Sequence, residues 1–224
     1  MNSEVRKIKE EGLHDEQILG NRDKKSHVKM DLYYKINQNM SNFYSANERK
    51  SYDEYVELII QNIYMILRTF ARVNIYPEGF YNIIKNRKGI LLDSKDNPEI
   101  EQPISEFYKE ISREFSFLKS RREPSNDSNI GNTYDDMRHF YIEHGLEQNN
   151  KDLVNDKQYM DRLCFKSSFL TEKFIITDSF DEDIECLMDL MFLYMSFLVE
   201  VGYNPKERLN EVIEENKNIK SNKR

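Results

Sequence analysis

The sequence predicts an all-α fold, a helical bundle, and three observations carry this prediction. Glycine and proline are scarce, with seven and five residues in a chain of 224, although turn-rich β folds depend on both. Residues that favour helices, chiefly glutamate, lysine, leucine, isoleucine and methionine, are abundant. Apolar residues recur every three or four positions through most of the chain, which is the period of an amphipathic helix. The chain is long enough for one ample hydrophobic core.

The N-terminal half contains three predicted helices. Residues 1–28 are charged and unpatterned, and we expect them to form a polar arm that is either loose or a short helix. The spacing of apolar residues predicts a helix from Met30 to Phe43 and another from Tyr52 to Val73. A shorter helix follows Pro77, because proline suits the first turn of a helix.

Loops and helices alternate in the rest of the chain. A loop is predicted from Lys88 to Pro103. The sequence RREPSNDSNIGNT, which begins at Arg121, has the Ser, Asn, Gly and Pro content of a linker. The predicted helices are Ile104–Lys119, Tyr134–Gly145, Asp152–Phe169, Asp181–Val201 and Pro205–Asn218.

Two segments of the chain resemble each other. SYDEYVELIIQNIYMILRTFARVNIYP, from Ser51, aligns without a gap with SFDEDIECLMDLMFLYMSFLVEVGYNP, from Ser179, and the alignment extends to Lys88 and Asn216. A helix, a short linker and a second helix recur in the same order in both segments. Chance similarity between two amphipathic helices with similar caps is the alternative.

An internal duplication would define the architecture. Two helical hairpins, residues 30–88 and 160–217, would be related by a pseudo-twofold axis and would pack as one bundle. Residues 89–159 would form an inserted helical segment between them. We therefore expect a single all-α domain over residues 29–224, preceded by the polar arm.

Charge and hydropathy exclude several classes of protein. The net charge of −7 argues against a general nucleic-acid binder, because such proteins carry large basic surfaces. The polar N-terminus lacks the apolar core of a signal peptide. The most apolar segment, Ile184–Val201, is interrupted by three acidic residues, so we do not expect it to span a membrane.

The two cysteines support a cytoplasmic location. Cys164 and Cys186 lie in apolar helical segments and lack the spacing of a zinc site. We expect both to be buried, reduced thiols, as is usual in a reducing compartment. The sequence therefore predicts a cytoplasmic protein.

The first acidic residues of the two similar helices have a structural explanation. Ser51 with Glu54, and Ser179 with Glu182, fit a capping box, in which the serine oxygen accepts a backbone N–H and the glutamate bonds back to the serine N–H. Acidic side chains in a first turn also interact favourably with the helix dipole. Capping is the favoured interpretation of these positions over metal binding.

Three further acids, Glu57, Glu185 and Asp189, lie beyond the first turn, where the helix dipole no longer accounts for them. Glu185 and Asp189 are four residues apart, so both carboxylates can reach one cation from a single helix face. Glu57 and Gln61 occupy the equivalent positions of the first segment. Clustered carboxylates without histidine suit Mg²⁺ or Mn²⁺. A narrow polar stripe on a partly buried helix is the alternative.

Two other clusters have a structural and a functional interpretation. Lys119, Arg121 and Arg122 form the densest basic cluster, which could bind phosphate groups or match the dipole at a helix C-terminus. Asp135 and His139 share a helical face, and a solvated surface is favoured there over a transition-metal site.

The C-terminal region resembles a known family. The resemblance rests on the acidic cluster from Asp181 to Glu185, on Asp189, on the turn Gly202–Pro205 and on the run Glu211–Asn216. This pattern resembles the all-α nucleotide pyrophosphohydrolases, a superfamily of MazG-like enzymes, phosphoribosyl-ATP pyrophosphohydrolases and dimeric dUTPases. The resemblance covers residues 160–218 and, more faintly, residues 30–88. Where the family has the motif E-x-x-D, this chain has Glu185 and Asp189, which are four positions apart and not three.

The resemblance implies a Mg²⁺-dependent hydrolase that cleaves the α–β phosphate linkage of a nucleoside triphosphate. The metal would activate a water molecule, a catalytic carboxylate would orient that water, and basic side chains would neutralise the phosphates. The implied metal ligands are Glu57, Glu185 and Asp189, the catalytic residue is Glu182, and the phosphate-binding residues are Lys119, Arg121 and Arg122.

The alternative function is a non-catalytic helical module that works through protein contact. Aromatic residues such as Tyr33, Tyr34, Phe43 and Tyr44 would then be interface anchors, unless they belong to the core. Homo-oligomerisation is compatible with both functions, and neither a nucleic acid nor a membrane is expected as a partner.

Overall fold

The computed structural model of the chain describes residues 1–11, 22–43, 51–73, 76–77, 129–146 and 148–221. This part is helical and contains no strand, which confirms the predicted all-α class. Its elements are α1 (Asn2–Glu10), α2 (Arg22–Phe43), α3 (Tyr52–Arg72), α4 (Ile130–Glu143), a 3₁₀-helix (Lys151–Asn155), α5 (Lys157–Ile176), α6 (Phe180–Val201) and α7 (Lys206–Ser221).

The helices form a bundle around α3 and α6. α2 packs against α3 and α5, α5 also packs against α6, α1 and α7 lie on α3, and α4 lies on α6. Phe70 of α3 and Tyr194 and Phe197 of α6 are fully buried in one continuous core. Because α6 is apolar on nearly all sides, it can be buried in this way.

The N-terminal segment adopts the helical alternative of the two that were predicted. Val5 and Ile8 of α1 are fully buried, and α1 packs against α3. α2 begins at Arg22, before the predicted start at Met30. Residues 2–10 therefore belong to the bundle, because their few apolar side chains share one helix face.

α4 begins within the predicted linker. Its first residue is Ile130, and the Asn129 side chain accepts a hydrogen bond of 3.1 Å from the Asn132 N–H. Ile130 is fully buried. The predicted start at Tyr134 was therefore wrong, because an asparagine cap and one buried isoleucine initiate the helix earlier.

The predicted helix from Asp152 to Phe169 is divided and extended. A 3₁₀-helix ends at Asn155, and Asp156 then caps α5 by accepting a hydrogen bond of 3.1 Å from the Tyr159 N–H. α5 continues to Ile176 because Thr171 and Phe174 are still buried against the bundle. The predicted boundaries of α3, α6 and α7 agree with the structure to within three residues.

The turn between α6 and α7 depends on a glycine. Gly202 adopts a left-handed conformation with φ of +76°, which costs other residues free energy. A Cβ atom there would lie 2.7 Å from Asn149 Oδ1. The loop that carries Asn149 also caps α6, since the N–H groups of Asn149 and Asn150 donate to the carbonyls of Val199 and Glu200.

The predicted helices after Pro77 and from Ile104 to Lys119 lie outside the described residues. The internal duplication accordingly stays a prediction. Within the described ranges, no helix combines the length and the apolar character that a bilayer span requires.

Candidate functional site

Glu57 of α3 forms an ion pair with Arg208 of α7. The Arg208 Nε and Nη2 atoms donate to the two Glu57 oxygens at 2.7 and 3.0 Å. Gln61 donates to the same carboxylate at 2.8 Å. The hydrogen bonds from Arg208 hold the pKa of Glu57 below its usual range, although partial burial opposes this shift. Both oxygens of this predicted metal ligand are therefore occupied by protein donors.

The two predicted capping boxes behave differently. At Ser51 the box is complete, because the serine oxygen accepts from the Glu54 N–H and Glu54 accepts from the Ser51 N–H. At Ser179 the side chain makes no cap hydrogen bond, so the second predicted box was wrong. Exposure to water does not account for the difference, because Ser51, Glu54, Ser179 and Glu182 are all exposed. Glu182, the predicted catalytic residue, lies on this exposed first turn.

Glu185 and Asp189 lie on a part of α6 that is covered by other helices. Glu185 is only 7% exposed, and Asp189 is half-buried. Both carboxylates take part in further contacts. The structure therefore places these two acids one turn apart on α6 and largely shielded from water, as the sequence indicated.

The predicted metal ligands Glu57, Glu185 and Asp189 all lie within the described residues. Among the residues that the structure describes, no three His, Cys, Asp or Glu side chains are grouped as metal ligands, although Mg²⁺ needs several oxygen ligands around one point. The basic residues Lys119, Arg121 and Arg122 lie outside the described residues. Mg²⁺ or Mn²⁺ binding, the nucleotide substrate and the phosphate-binding cluster stay predictions.

A buried ion pair that the sequence did not indicate joins α2 to the start of α6. Lys29 Nζ bonds Asp183 Oδ1 and also donates to the Thr177 carbonyl at 2.6 Å. The Thr177 hydroxyl donates to Asp183 at 2.6 Å, and Lys29 Nζ lies 5.1 Å from the centre of the Phe174 ring. Asp183 can be buried because its carboxylate accepts hydrogen bonds from both Lys29 and Thr177.

The cysteines are free and buried, as predicted. The pKa of the Cys186 thiol is raised to about 12, chiefly by burial and also by the carboxylates of Asp189, Glu185 and Asp183, while Lys173 opposes the shift. A thiol with such a pKa is a poor nucleophile at neutral pH. Cys186 is therefore a core residue.

A groove with a volume of about 710 Å³ runs between α4, α5 and α6. We call it the aromatic groove, because seven of its sixteen lining residues are aromatic. Phe165 and Phe169 of α5 lie at its edge and are 73% and 57% exposed. The lining is Phe140, Tyr141, Leu146, Tyr159, Arg162, Leu163, Phe165, Lys166, Phe169, Leu170, Asp189, Phe192, Leu193, Ser196, Phe197 and Glu200.

Glu200 fixes one end of the aromatic groove. Its two oxygens accept hydrogen bonds from the hydroxyls of Tyr141 on α4, at 2.7 Å, and of Tyr159 on α5. Burial, reinforced by the Glu200 charge, raises the pKa of both tyrosines. One carboxylate therefore links the three helices that form the groove and keeps its walls in place.

The sequence carries a local signal for this groove. Phe165 and Phe169 are four residues apart in a stretch that also carries Arg162 and Lys166, so they lie on the polar face of an amphipathic helix. The walls of the groove come from three consecutive helices, but apolar spacing within each helix does not show how the three pack together. Asp135 and His139, by contrast, are exposed on α4, as the favoured interpretation stated.

No family model matches the chain, and no curated protein or solved structure matches it either.

Proposed function

We propose that the chain is a helical protein-interaction module whose aromatic groove binds a helix of a partner protein. The observation that carries this proposal is the exposure of Phe165 and Phe169 at the edge of a formed, aromatic groove. Contiguous exposed apolar surface of this kind marks interaction sites, whereas scattered apolar side chains do not. Aromatic side chains are also the commonest anchors of protein interfaces.

The dimensions of the groove suit a helix. Its α5 wall extends from Tyr159 to Leu170 and its α6 wall from Asp189 to Glu200, and each wall is about 16 Å long, or three helical turns. A volume of about 710 Å³ accommodates a row of large side chains but not a whole helix, which is about 10 Å across. A partner helix would therefore lie over the groove and insert its apolar residues at positions i, i+4 and i+7.

The groove is suited to binding without a large rearrangement. The Glu200 carboxylate, with its two tyrosine hydroxyls, holds α4, α5 and α6 together at one end. Ser167 and Tyr194 bond through their hydroxyls in the middle of the α5–α6 interface. Preformed walls reduce the conformational entropy that is lost on binding, and this favours affinity.

Selection from a displayed library of random peptides tests the proposal. We expect the chain to enrich peptides with apolar residues at helical spacing, and we expect Phe165→Ser combined with Phe169→Ser to abolish their binding. Both phenylalanines are largely exposed, so the double variant should unfold at the same urea concentration as the parent. The proposal would be refuted if no peptide were enriched. It would also be refuted if the enriched peptides bound the double variant as well as the parent.

A Mg²⁺-dependent nucleotide pyrophosphohydrolase is the second candidate function. One observation favours it: Glu185 and Asp189 are kept one turn apart in an apolar helix, and Asp189 also lines the aromatic groove. The volume of the groove lies within the range of small-molecule sites. Since Glu57 is bonded to Arg208 and Glu182 is exposed, we derive no metal-dependent step.

A panel of nucleoside triphosphates incubated with Mg²⁺ tests this candidate. Release of a monophosphate and pyrophosphate, lost in Glu185→Gln with Asp189→Asn, would favour catalysis over the interaction module. No turnover of any nucleotide, together with a melting temperature that Mg²⁺ does not raise, would remove this candidate.

A further inference from the structure

We infer that the partner helix carries acidic residues along the side that faces α5. This inference rests on the proposed function, because it specifies the chemistry of the helix that the aromatic groove would bind. It depends on a separate observation, the charge at the rim of the groove. The rim is asymmetric: one edge is basic, and the opposite wall is uncharged.

The basic edge consists of Arg162 and Lys166 on α5. They are one turn apart, both are exposed, and both line the groove. Neither forms an ion pair within the described part of the chain. By contrast, Lys157 on the same helix pairs with Asp161 at 2.7 Å, and Arg208 pairs with Glu57, Glu211 and Glu215. The two cations at the groove are thus available to a partner.

The acids of the groove do not neutralise this edge. Both Glu200 oxygens accept tyrosine hydroxyls, so this carboxylate is already engaged. α5 and α6 are antiparallel, with Tyr159 beside Glu200 and Ser167 beside Tyr194. This register places Asp189 opposite Thr171, more than one helical turn past Lys166.

The α4 side of the groove consists of Phe140 and Tyr141 on α4 and Leu146 just after it, and it contributes no charged side chain. A helix that lies over the groove would therefore contact apolar groups on one side and two cations on the other. Glutamate or aspartate at two positions one turn apart, beside the apolar anchors, would match the spacing of Arg162 and Lys166. Charge complementarity of this kind sets the orientation of the partner and its association rate.

Three fluorescein-labelled peptides of about four turns test the inference. They share leucine and phenylalanine at i, i+4 and i+7 and carry glutamate, glutamine or lysine at the two flanking positions. We expect the glutamate peptide to bind about tenfold more tightly than the lysine peptide by fluorescence anisotropy at low salt. This difference should shrink in about 1 M salt, because salt screens exposed charges.

Charge reversal of the rim supplies the decisive comparison. Arg162→Glu combined with Lys166→Glu should invert the preference, so that the lysine peptide binds most tightly. Lys157→Glu, on the same helix but outside the groove, is the matched control. This variant should bind the glutamate peptide more tightly than the lysine peptide, as the parent does. Urea titration of each variant establishes that the fold is retained.

The outcomes separate the two proposals. If all three peptides bind equally well and lose binding in the Phe165→Ser, Phe169→Ser variant, the groove binds helices but the inference of an acidic partner is overturned. If no peptide depends on the two phenylalanines, both proposals are overturned. Binding to phosphatidylglycerol vesicles that requires Arg162 and Lys166, without binding of the glutamate peptide, would also overturn the inference, since the basic edge would then serve a membrane surface.

Discussion

Replacement of Lys29 by methionine should strongly destabilise the protein. The Lys29 and Asp183 side chains are 8% and 6% exposed, and the ammonium group bonds the carboxylate and the Thr177 carbonyl. Methionine has similar length and fills much of the same space. The substitution therefore removes the charge that compensates Asp183 and leaves this carboxylate buried, with the Thr177 hydroxyl still donating to it.

The size of the effect follows from the burial of Asp183. Breaking a buried ion pair by removal of one partner costs about 3–5 kcal/mol, because the remaining charge is uncompensated. The bond from the Thr177 hydroxyl offsets a part of this cost, so we expect a loss of about 3 kcal/mol. With a urea dependence of about 2–3 kcal/mol per molar for a chain of this size, the unfolding midpoint should fall by about 1 M.

A double-mutant cycle measures the pair itself. Lys29→Met, Asp183→Leu and their combination are compared by urea unfolding, monitored by circular dichroism at neutral pH. The combined variant should recover most of the stability that each single variant loses, because it leaves no buried charge. A loss below about 1 kcal/mol for Lys29→Met, or additive losses in the combined variant, would contradict this reasoning.

Three other changes test the structure. Glu57→Gln should flatten the pH dependence of stability: the pKa of Glu57 is lowered in the folded state, so its stabilisation by Arg208 is present above about pH 4.3 and is lost as the pH falls through the folded pKa. Urea titrations of parent and variant from about pH 3 to pH 7 show this difference, and identical slopes would contradict it. Glu200→Gln should cost about 1–3 kcal/mol in the same urea assay, because two tyrosine hydroxyls lose a charged acceptor. An unchanged midpoint would show that Glu200 does not link the three helices. Gly202→Ala should cost about 2–3 kcal/mol, since alanine is strained at this φ and its Cβ lies 2.7 Å from the adjacent loop. Gly145→Ala is the control, with φ of +61° but open space around the Cβ, and should cost only about 1 kcal/mol. Equal losses of stability in the two variants would mean that the contact with Asn149 adds nothing to the cost of Gly202→Ala.

The sequence was sufficient for features that depend on local physics. Apolar periodicity predicted α3, α6 and α7, and the Ser51 box formed because all of its donors and acceptors lie within four residues. The burial of Glu185 could be inferred from the apolar residues that follow it along α6, such as Leu187, Met188 and Met191. Such features need no information about which helices are adjacent in space.

Features that depend on helix pairing could not be predicted. The partner of Glu57 is Arg208, and the partner of Asp183 is Lys29, and in both cases more than a hundred residues separate the two side chains. No periodicity connects such positions. The aromatic groove also depends on tertiary packing: α4, α5 and α6 follow one another in the chain, but the groove forms only through the way the three helices pack together. From the sequence, Phe165 and Phe169 are simply two phenylalanines on a polar face.

The contrast between Glu57 and Glu185 shows why an acid in an apolar helix is weak evidence for a metal. The two residues occupy equivalent positions of the two similar segments, yet Glu57 is bonded to a guanidinium and Glu185 is buried against other helices. A carboxylate in a low-dielectric site needs a compensating group, but that group can be a metal ion, an arginine or a set of hydrogen bonds. Only the arrangement of neighbouring helices selects among them. Arg208 bonds both oxygens of Glu57, one of the three metal ligands that the resemblance implied. With this ion pair in place, a cation at Glu185 and Asp189 would have to be held without Glu57.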